Sequence, residues 1–295
     1  MKKQKNMPSL IGRYPSLGLT FYKRGDIVCA RSCTSEQPNR QSPAQFRNRE
    51  RVRSLIALWN SFPIDGKPLM ESPEGMTAYK VFQRVNSHLP AAYLTKQQRA
   101  QSGAVLMPDM YVSAGRLEPL EYHFEVLEDG GRLLVTNLAT GLDPALTQPL
   151  GVTTPNELCQ MLLMNARNPL LCLGDMLRFY ALRQSVEEVG DMEVPRLAVR
   201  CVTLTLDDDL RPFRFLAGHE LYTHNGCLAV GGVDDRETGY AVVIFDPRQR
   251  TASTQSVVTE GTLYEGYISE EAFKRAAKTY PNIRDAYLAP NGGSR

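Results

Sequence analysis

The stretch SPAQFRNRERVRSLIALW, residues 42–59, constrains this chain more than any other. Ser42 is a residue type that caps helices, and Pro43 suits the first turn. Gln45 follows three residues later and completes a capping box. Val52, Leu55, Ile56 and Trp59 then recur at helical spacing, with Phe46 one turn further back. Pro63 ends the element. Such a helix is marginal alone in water, so its apolar stripe predicts a packing partner. A second helix is predicted from Ser72-Pro73 to the residue before Pro90, with Met76, Tyr79, Phe82 and Leu89 on one side. Ahead of both, LGLTFYK and DIVCAR flank Arg24-Gly25 and read as a β-hairpin. These pieces are expected to pack as one head over residues 1–103.

Beyond about residue 103 the pattern changes to strands. YHFEVL (122–127) and RLLVTNL (132–138) flank Glu-Asp-Gly-Gly, a hairpin signature. Residues 156–166 and 175–186 fit a short helix or a buried strand equally. LAVRCVTLTL (197–206) is β-branched and strand-like. CLAVGGV (227–233), GYAVVIF (239–245) and TQSVVTE (254–260) are further strands, the first two expected to pair through a turn at 234–238. Ser269, with Glu270 and Glu271 behind it, opens a last helix whose apolar side is Phe273, Ala276, Ala277 and Tyr280. The expectation is an α+β chain. An N-terminal hairpin and helical hairpin precede two β-rich, sandwich-like modules at 104–200 and 201–283, the second with a C-terminal helix, and then a loose tail at 284–295.

Charge is unevenly spread. Residues 1–53 carry 12 Lys/Arg and 3 Asp/Glu, a net +9, which leaves −7 for the rest of a chain of net +2. The arginines Arg24, Arg31, Arg47, Arg49, Arg51 and Arg53, with Trp59, form the candidate interaction surface. A basic face of this kind suits a protein partner or self-association first, and nucleic-acid phosphates second. No helix-turn-helix, zinc finger or glycine-aromatic RNA motif accompanies it.

Signatures of catalysis are missing. The chain has no Gly-rich loop followed by Lys-Ser/Thr, no G-x-G-x-x-G after a strand and no G-x-S-x-G elbow. Gly231-Gly232 reads as part of a strand or bulge. His219, His224 and Cys227 offer zinc-compatible atoms at a spacing that matches no common site, and they are not expected to converge. Asp207–Asp209 reads as a turn after a strand. Cys29 and Cys33 lack a second pair, and Cys159, Cys172, Cys201 and Cys227 read as buried thiols. No catalytic residue, metal or cofactor is assigned. An unrecognised carbohydrate-active enzyme is the third reading, since glycosidase acids need not be adjacent. Pro8, Gly12, Arg13 and Pro15 interrupt any leader-like apolar run, and no stretch approaches 18 apolar residues. The expected setting is cytoplasmic, without membrane contact.

The pieces Gly18, Tyr22, Lys23-Arg24-Gly25, Val28 and Ala30-Arg31-Ser32, followed by Ser42, Gln45 and Arg49, resemble a family of uncharacterised proteins of Bacteroides and related gut bacteria. That family opens with a glycine-punctuated hairpin and a Q-x-x-x-R helix, followed by β-rich domains. GYAVVIFD (239–246), STQSVV (253–258) and YEGYISEEAFKRAA (264–277) extend the resemblance. It implies a structural, virion-associated or other phage-related role and supplies no catalytic residue. Pro15-Ser16 and Leu19-Thr20 depart from the Gly/Asn-rich turn of the pattern.

Overall fold

The computed structural model describes residues 12–14, 19–24, 27–32, 42–128, 130–232 and 237–280. The chain divides into two compact units, residues 1–41 and 42–295. In the first, β1 (Gly12–Tyr14), β2 (Leu19–Arg24) and β3 (Ile27–Ser32) form one antiparallel sheet in that order. β2 and β3 are the predicted hairpin. Arg24 faces Ile27, so the connecting residues are 25 and 26, one position later than expected. β1 is an additional strand, and Tyr14 meets Phe21 edge-on across it.

The second unit begins with α1 (Pro43–Ser61), β4 (Leu69–Met70), α2 (Ala78–Val85), α3 (Lys96–Ala100) and β5 (Tyr111–Ala114). There follow β6 (Tyr122–Val126), β7 (Arg132–Ala139), β8 (Thr147–Pro149), α4 (Pro155–Leu163), β9 (Met176–Val189) and β10 (Met192–Thr205). β11 (Glu220–His224), β12 (Cys227–Gly232) and β13 (Thr238–Asp246) come next. Three short strands, β14 (Thr251–Ala252), β15 (Gln255–Ser256) and β16 (Val258–Thr259), precede α5 (Glu265–Ile268) and α6 (Glu270–Lys278). The fold is α+β, as the sequence implied.

Two five-stranded sheets make a sandwich. One runs β10-β9-β13-β14 with β16 also on β13, and the other β6-β7-β12-β11-β8. Side chains alternate across a strand, so β9, β10 and β13 of the first sheet each serve two cores. Leu177, Phe179 and Ala181 of β9 and Tyr240, Val242 and Ile244 of β13 face the second sheet, meeting Leu134, Leu228 and Val230. The intervening Tyr180, Leu182, Ala241 and Val243 face the other way, into a cluster with Leu55 and Leu58 of α1 and Phe82 of α2. A strand covered on both faces needs an unbroken apolar run, which is what GYAVVIF is.

This layering corrects two expectations. CLAVGGV and GYAVVIF do not pair with each other. β12 lies between β7 and β11, while β13 pairs with β9 in the opposite sheet. β12 ends at Gly232 in one sheet and β13 begins at Thr238 in the other, and residues 233–236 lie outside those described. Two apolar strands close in sequence look the same whether they pair edge to edge or face each other across a core. The boundaries at 103 and 200 also fail to separate domains. β10 runs through residue 200, and the helices of 43–100 share a core with β9 and β13. The tail at 284–295 is outside the described residues.

Residues 156–166 resolve as α4, because Thr154 and Glu157 form a capping box around Pro155. Residues 175–186 resolve as strand, paired along its whole length with β10. The helix expected from Ser72 starts later, capped by Thr77. TQSVVTE splits into β15 and β16, which serve different sheets. The hairpin of β6 and β7 and the helix capped by Ser269 stand where expected. Gly231 is a packing glycine: a Cβ there would collide with the Arg132 carbonyl of β7.

Phe179 tests the shared core. Phe179→Ala should cost about 3–5 kcal/mol, since its ring is fully buried and meets Phe215 edge-on. Urea unfolding followed by circular dichroism measures this, and a loss under about 1 kcal/mol would contradict a packed two-sheet interior.

Candidate functional site

The capping box at the start of α1 is formed. The Gln45 amide donates to Ser42 Oγ at 3.3 Å, and the Ser42 amide donates to Gln45 Oε1 at 3.2 Å. The buried side of the helix keeps Phe46, Leu55 and the inward-packed Trp59 of the predicted stripe but not Val52 and Ile56. Phe46, Glu50, Ser54 and Leu58 are buried at four-residue intervals, continued by Phe62 and joined by Leu55. Val52 and Ile56 are exposed. The shift arises because two of the inward positions are polar and were invisible to an apolar count.

Glu50 is completely enclosed. Arg53 Nη1 donates to Glu50 Oε1 at 2.5 Å, and Arg99 Nη2 donates to Glu50 Oε2 at 2.8 Å. Ser54 Oγ donates to the Glu50 carbonyl at 2.7 Å and accepts from the Ala92 amide at 3.1 Å. An enclosed carboxylate holds its charge only with such partners. The group therefore locks α1 to the segment around Ala92 and to α3. Tyr280 stands beside it. Burial pushes its hydroxyl above the ordinary value, Glu50 adds to the rise, and Arg53 and Arg99 oppose it.

The candidate arginines do not form one free face. Arg47 pairs with Glu270 at 3.1 Å and lies over the Phe273 ring, both on α6. Arg53 serves Glu50 and lies over Tyr280. Arg49 and Arg51 are exposed on the same helix. Arg31 belongs to the first unit, 5.9 Å from the centre of the Tyr22 ring. Arg24 ends β2, and its side chain is outside the description. Trp59 packs inward against Tyr79 and Phe82, with Lys67 over its ring. The helix thus docks on its own unit, and the two-helix contact predicted between α1 and α2 is made by this tryptophan.

His219 and His224 fall on opposite faces of one sheet. His219 Nδ1 is 3.0 Å from the Tyr240 hydroxyl, on the sandwich side. His224 points outward, with Nδ1 2.8 Å from Thr147 Oγ1. Its Nε2 lies 2.8 Å from Glu125 Oε2, without in-line hydrogen-bond geometry, and His123 approaches the same oxygen at 3.4 Å. The sequence reading did not connect His123 and Glu125 with His224, because they lie about a hundred residues apart in the chain. Among the described residues no group of three or more His, Cys, Asp or Glu is placed to hold a metal ion.

The remaining acids and thiols have local roles. Asp207 accepts from the Asp209 amide at 3.0 Å, the turn expected there, and Arg211 holds the Asp209 carboxyl well down, at about 2. Asp175 and Asp246 share Arg248, at 2.6 and 3.0 Å, at one end of the β9–β13 pair. Cys159 is buried, whereas Cys201 and Cys227 are half-buried and Cys172 is exposed, which corrects that expectation. Burial pushes the Cys201 thiol up to about 11. Cys33 lies outside the described residues.

These features define an α+β sandwich protein with a separate small basic sheet, and among the described residues no helix is long and apolar enough to cross a membrane. No family model, no curated protein and no solved structure matches the chain.

The enclosed carboxylate gives a direct test. Glu50→Ala removes the acceptor shared by Arg53 and Arg99, whose side chains keep 42% and 18% exposure, and should cost about 1–3 kcal/mol. A urea midpoint that does not move would show that α1 is held without it.

Proposed function

We propose that this is a non-catalytic assembly protein, in which the sheet of β1–β3 attaches to the acidic body of a second copy. The observation that carries this reading is that none of the described residues of that sheet is buried. Ile27 and Val28 are 69% and 52% exposed, and Tyr22 is exposed as well. A small sheet with no enclosed face is marginal by itself and gains stability from a surface that covers it. Among the described residues β1 and β3 are the edges of this sheet, the positions where a further strand could add.

Charge supports the choice of occupant. Residues 1–41 hold eight Lys/Arg and two Asp/Glu, a net +6, whereas residues 42–295 carry −4. Opposite charge orients and speeds such an encounter, while the apolar residues supply the contact area. The arginines of α1 contribute less than their number suggested, because Arg47 and Arg53 are already engaged within their own unit.

Light scattering on the full chain and on a version lacking residues 1–41 separates the outcomes. The full chain should form a dimer or larger species that weakens as salt rises. The shortened version should be a monomer with unchanged circular dichroism above residue 42. Monomers in both cases, at low salt and at concentrations of about 100 μM, a moderate-affinity range, would defeat the reading.

A further inference from the structure

Between α1 and the turn that follows α3 lies a cavity of about 470 Å³, walled by Arg53, Ile56, Ala57, Asn60, Arg99 and Ser102 among others. This volume is within the range of small-molecule sites. Its walls combine two kinds of surface. Ile56 and Ala57 give an apolar floor on the outward side of α1, and Ile56 is 40% exposed. Arg53 and Arg99 give two guanidinium groups, each with several donors.

Among the described residues Glu50 is the carboxylate that pairs with these two cations. Glu50 takes Nη1 of Arg53 and Nη2 of Arg99 and is itself enclosed. These three described groups sum to +1. Ser102, on the opposite wall, has φ of +57°, a left-handed conformation that costs a residue with a side chain. Backbone bonds hold that turn, with the Ser102 amide donating to Arg99 O and the Gly103 amide to Gln98 O. These bonds keep Ser102 at the cavity wall despite its backbone cost.

We propose that this cavity binds a small monoanion, a carboxylate carrying a short apolar chain. The carboxylate matches the +1 sum and the planar fork of a guanidinium, which binds it through two parallel hydrogen bonds. A phosphate monoester dianion would leave excess negative charge next to Glu50. The apolar chain covers Ile56, the exposed aliphatic side chain of the cavity. This site is independent of the attachment reading, since it uses only the second unit.

Titration calorimetry of the full-length protein with octanoate tests the assignment. Saturable binding at one site per chain is expected, with 1-octanol and inorganic phosphate each weaker by on the order of tenfold or more. Arg53→Ala should weaken octanoate by a similar factor. Ile56→Trp fills the cavity from an exposed helix position, so it should abolish binding while the urea midpoint stays put. If Arg53→Ala fails to fold, Ile56→Trp still decides. Octanoate heats that do not saturate, equal affinity for 1-octanol or phosphate, or full affinity in a folded Ile56→Trp protein would each overturn the proposal.

Discussion

The pairing of β9 with β13 organises the second unit, because both strands are buried on both faces. Their backbone groups satisfy one another along eight matched positions, from Thr238 opposite Arg183 to Phe245 opposite Met176. That ladder removes polar backbone from two apolar cores at once. The sandwich forms on one side, where Tyr240, Val242 and Ile244 meet Val230 and Leu228. The helices collect on the other, where Ala241 and Val243 meet Leu55 and Leu58.

Polar side chains then fix what the apolar layers leave loose. Gln184 accepts from the Leu106 amide at 2.6 Å and donates to the Arg196 carbonyl at 2.8 Å, which ties an irregular segment to the edge of the sheet. Asn86 does the same for Tyr111, donating to its carbonyl and accepting from its amide. Asn168 accepts from Ala139 and donates to Leu162. Glu50 is the charged member of this set. Gln184, Asn86 and Asn168 supply partners to buried backbone groups, where an unsatisfied group is costly, whereas Glu50 pairs with side chains. Their removal would affect orientation of segments as well as net stability.

The contrast between the two units gives the functional reading its physical basis. The second encloses Phe46, Tyr93 and Phe273, which meet stacked and edge-on in one small core with α6. The first places Tyr22, Ile27 and Val28 at its surface beside basic residues. The cavity on α1 has a different character. There an apolar floor and two cations come together only because Arg99, far along the chain, is drawn in by the same carboxylate that holds Arg53.

The sequence by itself determined the local elements. Ser42 and Ser269 announced their helices, because caps act through bonds to residues three positions away. The two-residue and glycine turns announced the hairpins of β2–β3 and β6–β7 for the same reason. Tertiary structure alone decided which strands share a sheet. CLAVGGV and GYAVVIF are apolar on both faces, and nothing in their order tells a pair of neighbours from two facing layers. It also decided the inward side of α1, where Glu50 and Ser54 replace the expected aliphatic residues. A polar group is read as exposed until a distant partner appears, and Arg99 and Ala92 reach that helix only in the folded chain. Hydrophobic periodicity reports how much surface a segment must bury, whereas the identity of the covering surface depends on contacts between residues far apart in sequence.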